Sequence, residues 1–460
     1  MTFYASEQFD SDEEDILRRY FTNLDQPVFA LVNLPEVVKG ALFARYSRSS
    51  KSLRRLFLDE FVGELDISGD ETIDATVGLK RAEELYDLVF FEYGDDSVAQ
   101  LGGVHLACEQ ASNLLTKVLE WGRLMSYLEQ STRYIAYNTR LDGRYRYYRD
   151  PEVMASPLAT RYVADMDYLF DTYSNLVETM REYFTNAVPK TESDSDFAYL
   201  QAIKAKALDS VRGVLPAASL SNVGIYGTGQ AYESLLLRMR SHPLPEAREY
   251  SEMILFELRK VIPSFLKRVD IPDRGQQTSE YMNDTRERLI DLSEHYFPKS
   301  KSPLPHPTVD LTDYDPDAEV KLVASALYPY TDRSDRDIED RVRKMTIEER
   351  ITVLKALEGD RENRRHRPGR ALERPSYRFD ILADYGAFRD LQRHRMMTIE
   401  WQKLSPYHGF VSPDELQDAG TATEFESAME RSMSLHDDLL EAFPEQASYA
   451  VSLAYRVRFL

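Results

Sequence analysis

The sequence predicts an α+β fold, rich in helix with small sheets, in two domains joined by a proline-rich break. Three observations lead there. Leu, Phe and Met recur at three- and four-residue spacing over long stretches, the period of an amphipathic helix. A few segments instead alternate apolar and polar residues or turn rich in Gly and Ser, which suits short strands. Residues 297–317, "FPKSKSPLPHPTVDLTDYDPD", carry four prolines in their first eleven positions, the composition of an extended linker. The expected organisation is an arm over 1–26, a first domain over 27–296, the linker over 297–317 and a shorter second domain over 318–460.

Residues 1–26 are acidic and polar, an arm or a capping helix. Helical periodicity covers 28–62 and continues through "ETIDATVGLKRAEELYDLVFFEYGDDS" to Gly94, where Gly-Asp-Asp marks a loop. From Val98 to Tyr137 the apolar residues again follow a helical period, and long amphipathic helices are predicted over 157–187 and 197–213. Pro216 ends one of them. The Ser- and Gly-rich stretch that follows, with its β-branched residues, fits a short strand or a loop, and helix resumes near Gln230. "GIYGTG" lacks the third glycine and preceding strand of a dinucleotide fingerprint and reads as a turn. Beyond the linker, Phe379, Ile381 and Ala383 fall on one face and Arg378, Asp380 and Leu382 on the other, an imperfect strand pattern. It turns at Gly386 into a helix with Arg389 and Arg393 one turn apart on one side.

Composition excludes several functions. With 43% hydrophobic and 29% charged residues the chain is neither disordered nor built of membrane spans. A formal charge of −21 opposes general nucleic-acid binding, because a phosphate backbone is repelled by such a field. It leaves room for a small anion held by a local group of arginines. One cysteine, Cys108, allows no intramolecular disulfide and no multi-cysteine zinc site. Its apolar neighbours mark it as a small buried hydrophobe. The acidic N-terminal stretch has no apolar core of a secretory signal, so a cytoplasmic location is the expectation. His105 is expected to be a satisfied core histidine and His366 a solvent-facing one. No zinc-ligand spacing, nucleophile elbow or phosphate loop is present.

Two segments carry chemistry. "LQRHRMMTIEW" sets Arg393, His394 and Arg395 side by side. A charge run is commonly a solvated face. Here Met396, Met397, Ile399 and Trp401 are expected to enclose the triplet, and cations in apolar surroundings need an anion. In "EQSTRYIAYN", Ser131 and Arg133 suit one phosphate, a hydroxyl bond beside a charge-assisted fork. The plainer alternative is a helix end where Glu129 and Arg133 pair four apart on the surface. A faint internal repeat links the two segments. "RLMSYLEQSTRY" and "RMMTIEWQKLSPY" place Arg123 with Arg395 and Ser126 with Thr398, which suggests duplication.

These residues together resemble the flavin-dependent thymidylate synthases. That family's signature runs Arg-His-Arg, two residues, Ser, one residue, Asn-Glu, one residue, Ser, one residue, Arg-Tyr. The second half keeps its front as Arg393, His394, Arg395 and Thr398, then departs at Glu400, Trp401, Lys403 and Ser405. The first half has Trp121 and Gly122 in place of the front and Leu128 in place of the Asn. It keeps the back as Arg123, Ser126, Glu129, Ser131, Arg133 and Tyr134. The halves are complementary. "ARYSRS" resembles the segment whose serine touches the flavin, which indicates Ser47. "GDDSVAQ" keeps Ser97 of a loop that otherwise has Asp95 and Gln100 for His and Glu, and "GRALER" restores the acid as Glu373. "ALDSVRGVLPAAS" gives Arg212. "ESLLLRMRSH" gives Arg240, with Arg238 as the alternative register. The family's Asn-x-Arg before that helix is replaced by "TGQ".

The resemblance implies a fused tandem of two such domains forming a pseudo-dimer, which pairs with a second copy as a homodimer. It implies reductive methylation of dUMP to dTMP with FAD as cofactor and NADPH and methylenetetrahydrofolate as co-substrates. Ser47, Ser97, Glu373, Arg393, His394 and Arg395 would hold the cofactor. Glu129, Gln130, Ser131, Arg133, Arg212, Arg240 and Arg393 would hold the nucleotide, and Arg240 would also stabilise charge developing on the uracil. The alternatives are a nucleotide-binding paralogue without turnover, or a flavin enzyme with another acceptor or a hydroxymethyl product.

Overall fold

The computed structural model describes residues 8–25, 31–36, 38–39, 42, 51–62, 100–140, 143–192, 195–297 and 308–460. The helix expected to end at Gly94 lies outside them. The acidic start forms helix α1 (Ser11–Tyr20). Asp10 accepts the N–H groups of Asp12 and Glu13 while Glu13 answers the Asp10 N–H, so the first turn has its donors satisfied. Helix α2 (Leu53–Glu60) packs on it through Tyr20 and Phe21 against Phe57.

The helical expectation over 98–137 is overturned. Strand β1 (Gly103–Ser112), a short helix α3 (Asn113–Leu119) and strand β2 (Met125–Glu129) occupy it. The apolar positions of β1 alternate inward at Val104 and Cys108, and a bulge at Gln110, whose φ is +56°, shifts the register so that Ala111 is buried as well. That irregular spacing imitates a helical period. His105 lies exposed on the outer face of β1 against the Tyr226 ring, not in the core.

Helices α4 (Ala159–Ala187) and α5 (Asp196–Val211) match their expected spans. Strand β3 (Leu220–Thr228) follows, and it absorbs "GIYGTG" down to Thr228, so that segment is not a turn. β3 is the central strand, antiparallel to β1 on one side and β2 on the other. Met125 lies across Gly227, where a Cβ would meet the Met125 methyl at 2.5 Å and the flexible Met side chain would have to shift. Helices α6 (Gly229–Arg240), α7 (Pro245–Leu258) and α8 (Gln277–Tyr296) complete this half.

The second half opens with strand β4 (Val309–Tyr314), inside the stretch expected to be linker. Its side chains are all exposed, so no buried face marks it in the sequence; its pairing to β5 (Tyr377–Asp384) does. Between them, helices α9 (Ala318–Leu327), α10 (Asp335–Val342) and α11 (Ile347–Glu358) enclose a small separate core around Val323 and Val342. Helix α12 (Tyr385–Gln392), α13 (Ala422–Ala442) and strand β6 (Arg456–Phe459) follow, with β6 on the other edge of β5.

The halves correspond at the strand-to-helix turn, while strand β2 has no strand counterpart at residues 397–401. Ser112 caps α3 by accepting the Leu115 N–H at 3.0 Å, and Asp384 caps α12 by accepting the Ala387 N–H at 3.0 Å. Both stand at the end of a strand, 272 residues apart, the same separation as Arg123 and Arg395. One continuous core joins Leu115, Leu119 and Ile225 of the first half to Tyr385, Phe388 and Val457 of the second. Main-chain bonds stitch the seam: Ala217 N–H to Val451 at 2.8 Å, Leu453 N–H to Leu215 at 2.9 Å and Ala454 N–H to Gly213 at 2.9 Å. At the seam's centre the Tyr385 hydroxyl donates to the Asn113 carbonyl at 3.2 Å. These two residues are each other's counterparts in the repeat, 272 residues apart.

Candidate functional site

Helix α12 and the loop after it carry the arginines of the second half against strand β2 of the first. At one end of β2 the Glu129 carboxylate, buried, accepts from Arg389 at 2.7 Å and from Lys117 at 3.3 Å, with Arg393 at 3.8 Å. Burial pushes the Glu129 carboxyl up, but Arg389, Lys117 and Arg393 outweigh it and hold it well below the usual carboxylate range. Glu120, bonded to Lys117, is pushed the other way, chiefly by burial. Glu129 therefore does not pair with Arg133 on a surface helix. Its oxygens are taken by protein cations, because it closes a strand and points into the seam.

Arg133 follows on an exposed loop, where the Ser131 hydroxyl accepts its backbone N–H at 3.3 Å. Gln130 is half-buried and anchored by its N–H to the Asn222 carbonyl at 2.9 Å. Arg212 comes up from the end of α5, bonded to Asp209 at 3.1 Å and close to the start of α12 at Gly386. Burial lowers its guanidinium most, and the nearby Arg389 and Arg133 charges lower it further. Arg133 and Arg212 thus share one positive neighbourhood, and Glu129 ties Arg393 to it. Arg389 and Lys117 were not predicted as site residues; its one-turn spacing from Arg393 was the signal for Arg389, and Lys117 had none.

At the other end of β2, roughly 13 Å away along the strand, lies a cavity of about 460 Å³. His394, Arg395, Arg123, Arg238 and Thr398 line it. Arg123 donates to the Thr398 hydroxyl at 2.9 Å and to the Met397 carbonyl at 3.4 Å. Arg395 returns the same pair of bonds, to the Ser126 hydroxyl at 3.5 Å and to the Met125 carbonyl. The counterpart arginines therefore reach across to counterpart partners. Among the described residues the buried Nε and Nη2 of Arg238 have no hydrogen-bond partner. Desolvation lowers its guanidinium, offset in part by Tyr127. Arg238, Arg123, Arg395 and His394 give the cavity a positive lining that suits an anion.

The remaining predicted residues fall elsewhere. Arg240 binds Glu252 and does not line the cavity. Two residues turn a helix by about 200°, so Arg238 and Arg240 cannot both face it, and Ala231, Ser234 and Arg238 form the lining face of α6. Glu373 is exposed and pairs with Arg370 at 3.0 Å, in the turn before β5 and not beside the triplet. Met396 is 88% exposed and Met397 41%, so they do not enclose the triplet; Ile399 is buried, and Trp401 packs on Trp121 and Phe388. Ser47 and Ser97 lie outside the described residues. Among the described residues no group of side chains is arranged to hold a metal ion, and no helix is long and apolar enough to cross a membrane.

A family model described as "Thymidylate synthase complementing protein" matches residues 41–264 and 310–460. The chain is 42% identical over 458 residues to a UPF0159 protein of Chlamydia pneumoniae, covering 98% of this chain and 86% of that one. It is 29% identical over 445 residues to a UPF0159 protein of Thermoplasma acidophilum, covering 91% and 84%.

Proposed function

The chain belongs to the family of thymidylate synthase complementing proteins, as a tandem of two diverged copies, and from that premise we propose that it is a flavin-dependent enzyme transferring a one-carbon unit to a pyrimidine nucleotide. The reaction we assign is reductive methylation of dUMP to dTMP with methylenetetrahydrofolate and NADPH. The observation that carries this reading is the seam: the front of the family signature from the second half meets the back of it from the first half along strand β2. We assign the halves the arrangement of a pseudo-dimer on the same ground.

The donor set fits a flavin on its chemistry. FAD carries a pyrophosphate, and Arg123, Arg238, His394 and Arg395, which line one cavity, offer the positive and hydrogen-bonding partners that such an anion requires. A bound reduced flavin supplies the hydride. This chain's residues supply binding and charge. Ser131 and Arg133 would clamp the nucleotide phosphate, with Arg212 and Arg393 adding positive potential beside it. Arg238 would take the electrostatic role first expected of Arg240, since Arg240 is spent on Glu252. Arg389 and Lys117 hold Glu129, and Arg393, bonded to Asp390, stands 3.8 Å from the same carboxylate. The lone cysteine is buried, and burial pushes its thiol up to about 12, which suits a mechanism without a thiol nucleophile.

The test is whether flavin co-purifies or binds on addition, whether its visible spectrum shifts with dUMP, and whether NADPH oxidation requires methylenetetrahydrofolate. Mass spectrometry of the product separates methylation from hydroxymethylation. Protein with no affinity for FAD would end the reading. Trp121 and Trp401, standing where the signature has Arg and Glu, favour a second reading, a nucleotide-binding protein without turnover. Binding of both ligands with no NADPH oxidation would establish that reading instead.

A further inference from the structure

Strands β4 and β5 leave an apolar face uncovered. Val309 stands opposite Ile381, Leu311 opposite Phe379 and Tyr314 opposite Tyr377, so these side chains share one face of the sheet. Tyr377 and Phe379 are 58% and 41% exposed, and Val309, Leu311 and Tyr314 are exposed as well. The first half treats the same place differently. Ala111 pairs with Ser221 and its counterpart Ala383 with Val457; two residues further along the partner strands, Val223 faces Cys108 and Phe459 faces Ile381. The bulge accounts for the extra residue in β1, so Cys108 and Ile381 occupy equivalent places. Helix α6 covers that face in the first half through Tyr232, whose hydroxyl donates to the Val104 carbonyl at 3.0 Å, and Val104 and Cys108 are buried. The physical requirement is the same in both halves: an apolar sheet face is covered by a helix with a matching stripe.

The chain holds such a helix with its own stripe uncovered. The Ser279 hydroxyl anchors α8 to the Leu237 carbonyl at 3.3 Å, and Arg286 anchors it to the Ser241 carbonyl. Of its twenty residues, Ser279 alone is buried. Tyr281, Leu289, Leu292 and Tyr296 form an exposed apolar stripe at helical spacing. Beside it run Glu280, Asp284, Glu287, Asp291 and Glu294, spaced four, three, four and three. The segment leading into β5, residues 361–374, has the opposite charge: six arginines against two glutamates in a chain of charge −21. Arg370 and Arg374 pair with Glu373 and Asp335, and among the described residues no carboxylate pairs with Arg361, Arg364, Arg365 or Arg367. The Asn363 side-chain oxygen fixes the turn that carries them by accepting the Arg365 N–H at 2.9 Å.

We propose that α8 of one copy lies across the β4–β5 face of a second copy, its apolar stripe on Val309, Leu311 and Phe379 and its acidic stripe toward the arginine-rich segment. Both surfaces are exposed together in one chain, so the helix that covers the sheet comes from another. Charge complementarity and the matching stripe select the second copy. A two-fold pairing buries both surfaces of both copies at once and leaves neither open. Helix α8 lies between the two family-matched segments, and the contact does not rest on the flavin reading.

The experiment uses the full-length protein. Light scattering on a size-exclusion column is expected to give twice the chain mass, with a dissociation constant that rises with salt. Leu289→Glu and Phe379→Glu should each raise that constant roughly tenfold or more, and circular dichroism verifies that each variant folds. Leu289 is exposed, so its variant tests the contact even where the strand substitution disturbs the sheet. Leu289→Cys and Phe379→Cys chains, mixed and oxidised, should form a disulfide between copies, since Cys108 is buried and does not compete. A parent that stays monomeric at high micromolar concentration would overturn the proposal, whatever other protein the face then takes. So would a dimer that is unchanged by Leu289→Glu and gives no mixed disulfide, because its pairing lies on another face. A dimer that forms the mixed disulfide but binds neither FAD nor dUMP would sink the functional reading and leave this interface standing.

Discussion

Two contacts across the seam are counterparts of each other, and they differ in kind. Arg393 of the second half meets Glu129 of the first at 3.8 Å. Shifting each residue to its repeat counterpart gives Trp121 and Trp401, which also meet, edge to face, with ring centres 5.3 Å apart. The same geometric contact is ionic once and aromatic once. The bonds between them have not diverged in this way: Arg123 to Thr398 and Arg395 to Ser126 remain matched in chemistry. Each contact thus joins partners of one chemistry across the seam, charge with opposite charge and ring with ring.

The largest expected effect separates these contacts directly. Glu129→Gln leaves Arg389 and Lys117 facing a neutral group in the seam, at a cost of roughly 3–5 kcal/mol in urea unfolding. The pH dependence should differ as well. Since the folded-state Glu129 value lies below the unfolded one of about 4.3, its stabilisation is present above that pH and is lost as pH falls through the folded value. Trp401 offers no such acid limb, so Trp401→Leu should weaken stability evenly with pH.

Nucleotide binding comes next. Arg133→Ala should weaken dUMP binding roughly 10- to 100-fold, the worth of one charge-assisted contact. Arg393→Ala should act similarly, and the double variant should fall short of the summed losses because one positive neighbourhood is being removed. Full additivity in calorimetry would mean the two arginines serve separate ligands.

A second buried carboxylate sharpens the comparison. Glu246 accepts from the Ser112 N–H at 2.9 Å, the Ser112 hydroxyl at 2.6 Å and the Tyr449 hydroxyl at 2.7 Å, and among the described residues no cation pairs with it. Burial pushes it up to about 7. Stability should therefore fall as pH rises from the unfolded value of about 4.3 toward 7, the reverse of the Glu129 limb. Glu246→Gln should flatten that fall in unfolding midpoints measured across the range.

The smallest effect concerns the matched bonds. Arg123→Ala and Arg395→Ala should each cost about 0.5–1.5 kcal/mol of stability. Equal losses would support a local two-fold relation, and markedly unequal ones would break it.

Much of the site was legible before the fold was. The repeat pairing of Arg123 with Arg395 and Ser126 with Thr398 identified the residues that bridge the seam. The complementary signature halves pointed to Arg133 and Arg393, and the separate "ALDSVRGVLPAAS" segment to Arg212. The long helices α4 and α5 were readable because their buried stripes run for many turns. Strand β1 was not, because its bulge disguises a two-residue period. Strand β4 was not, because its side chains face solvent and only main-chain pairing defines it. Arg240 misled for a reason of register: sequence similarity brackets an arginine-bearing turn, while the helix's rotation decides which arginine faces the cavity. Glu129's role was hidden because its partners Arg389 and Lys117 are remote in sequence or unremarked within it.

The meeting of Tyr385 with its own counterpart Asn113 has a consequence for how such a seam persists. Two separate chains must find each other, and dilution parts them. Here the covalent connection turns that encounter into an intramolecular one, with an effective concentration of the order of millimolar or above. Every first half is born beside a suitable second half. Either half is then free to surrender a feature its tethered mate still provides, without ever meeting a partner that has surrendered the same one.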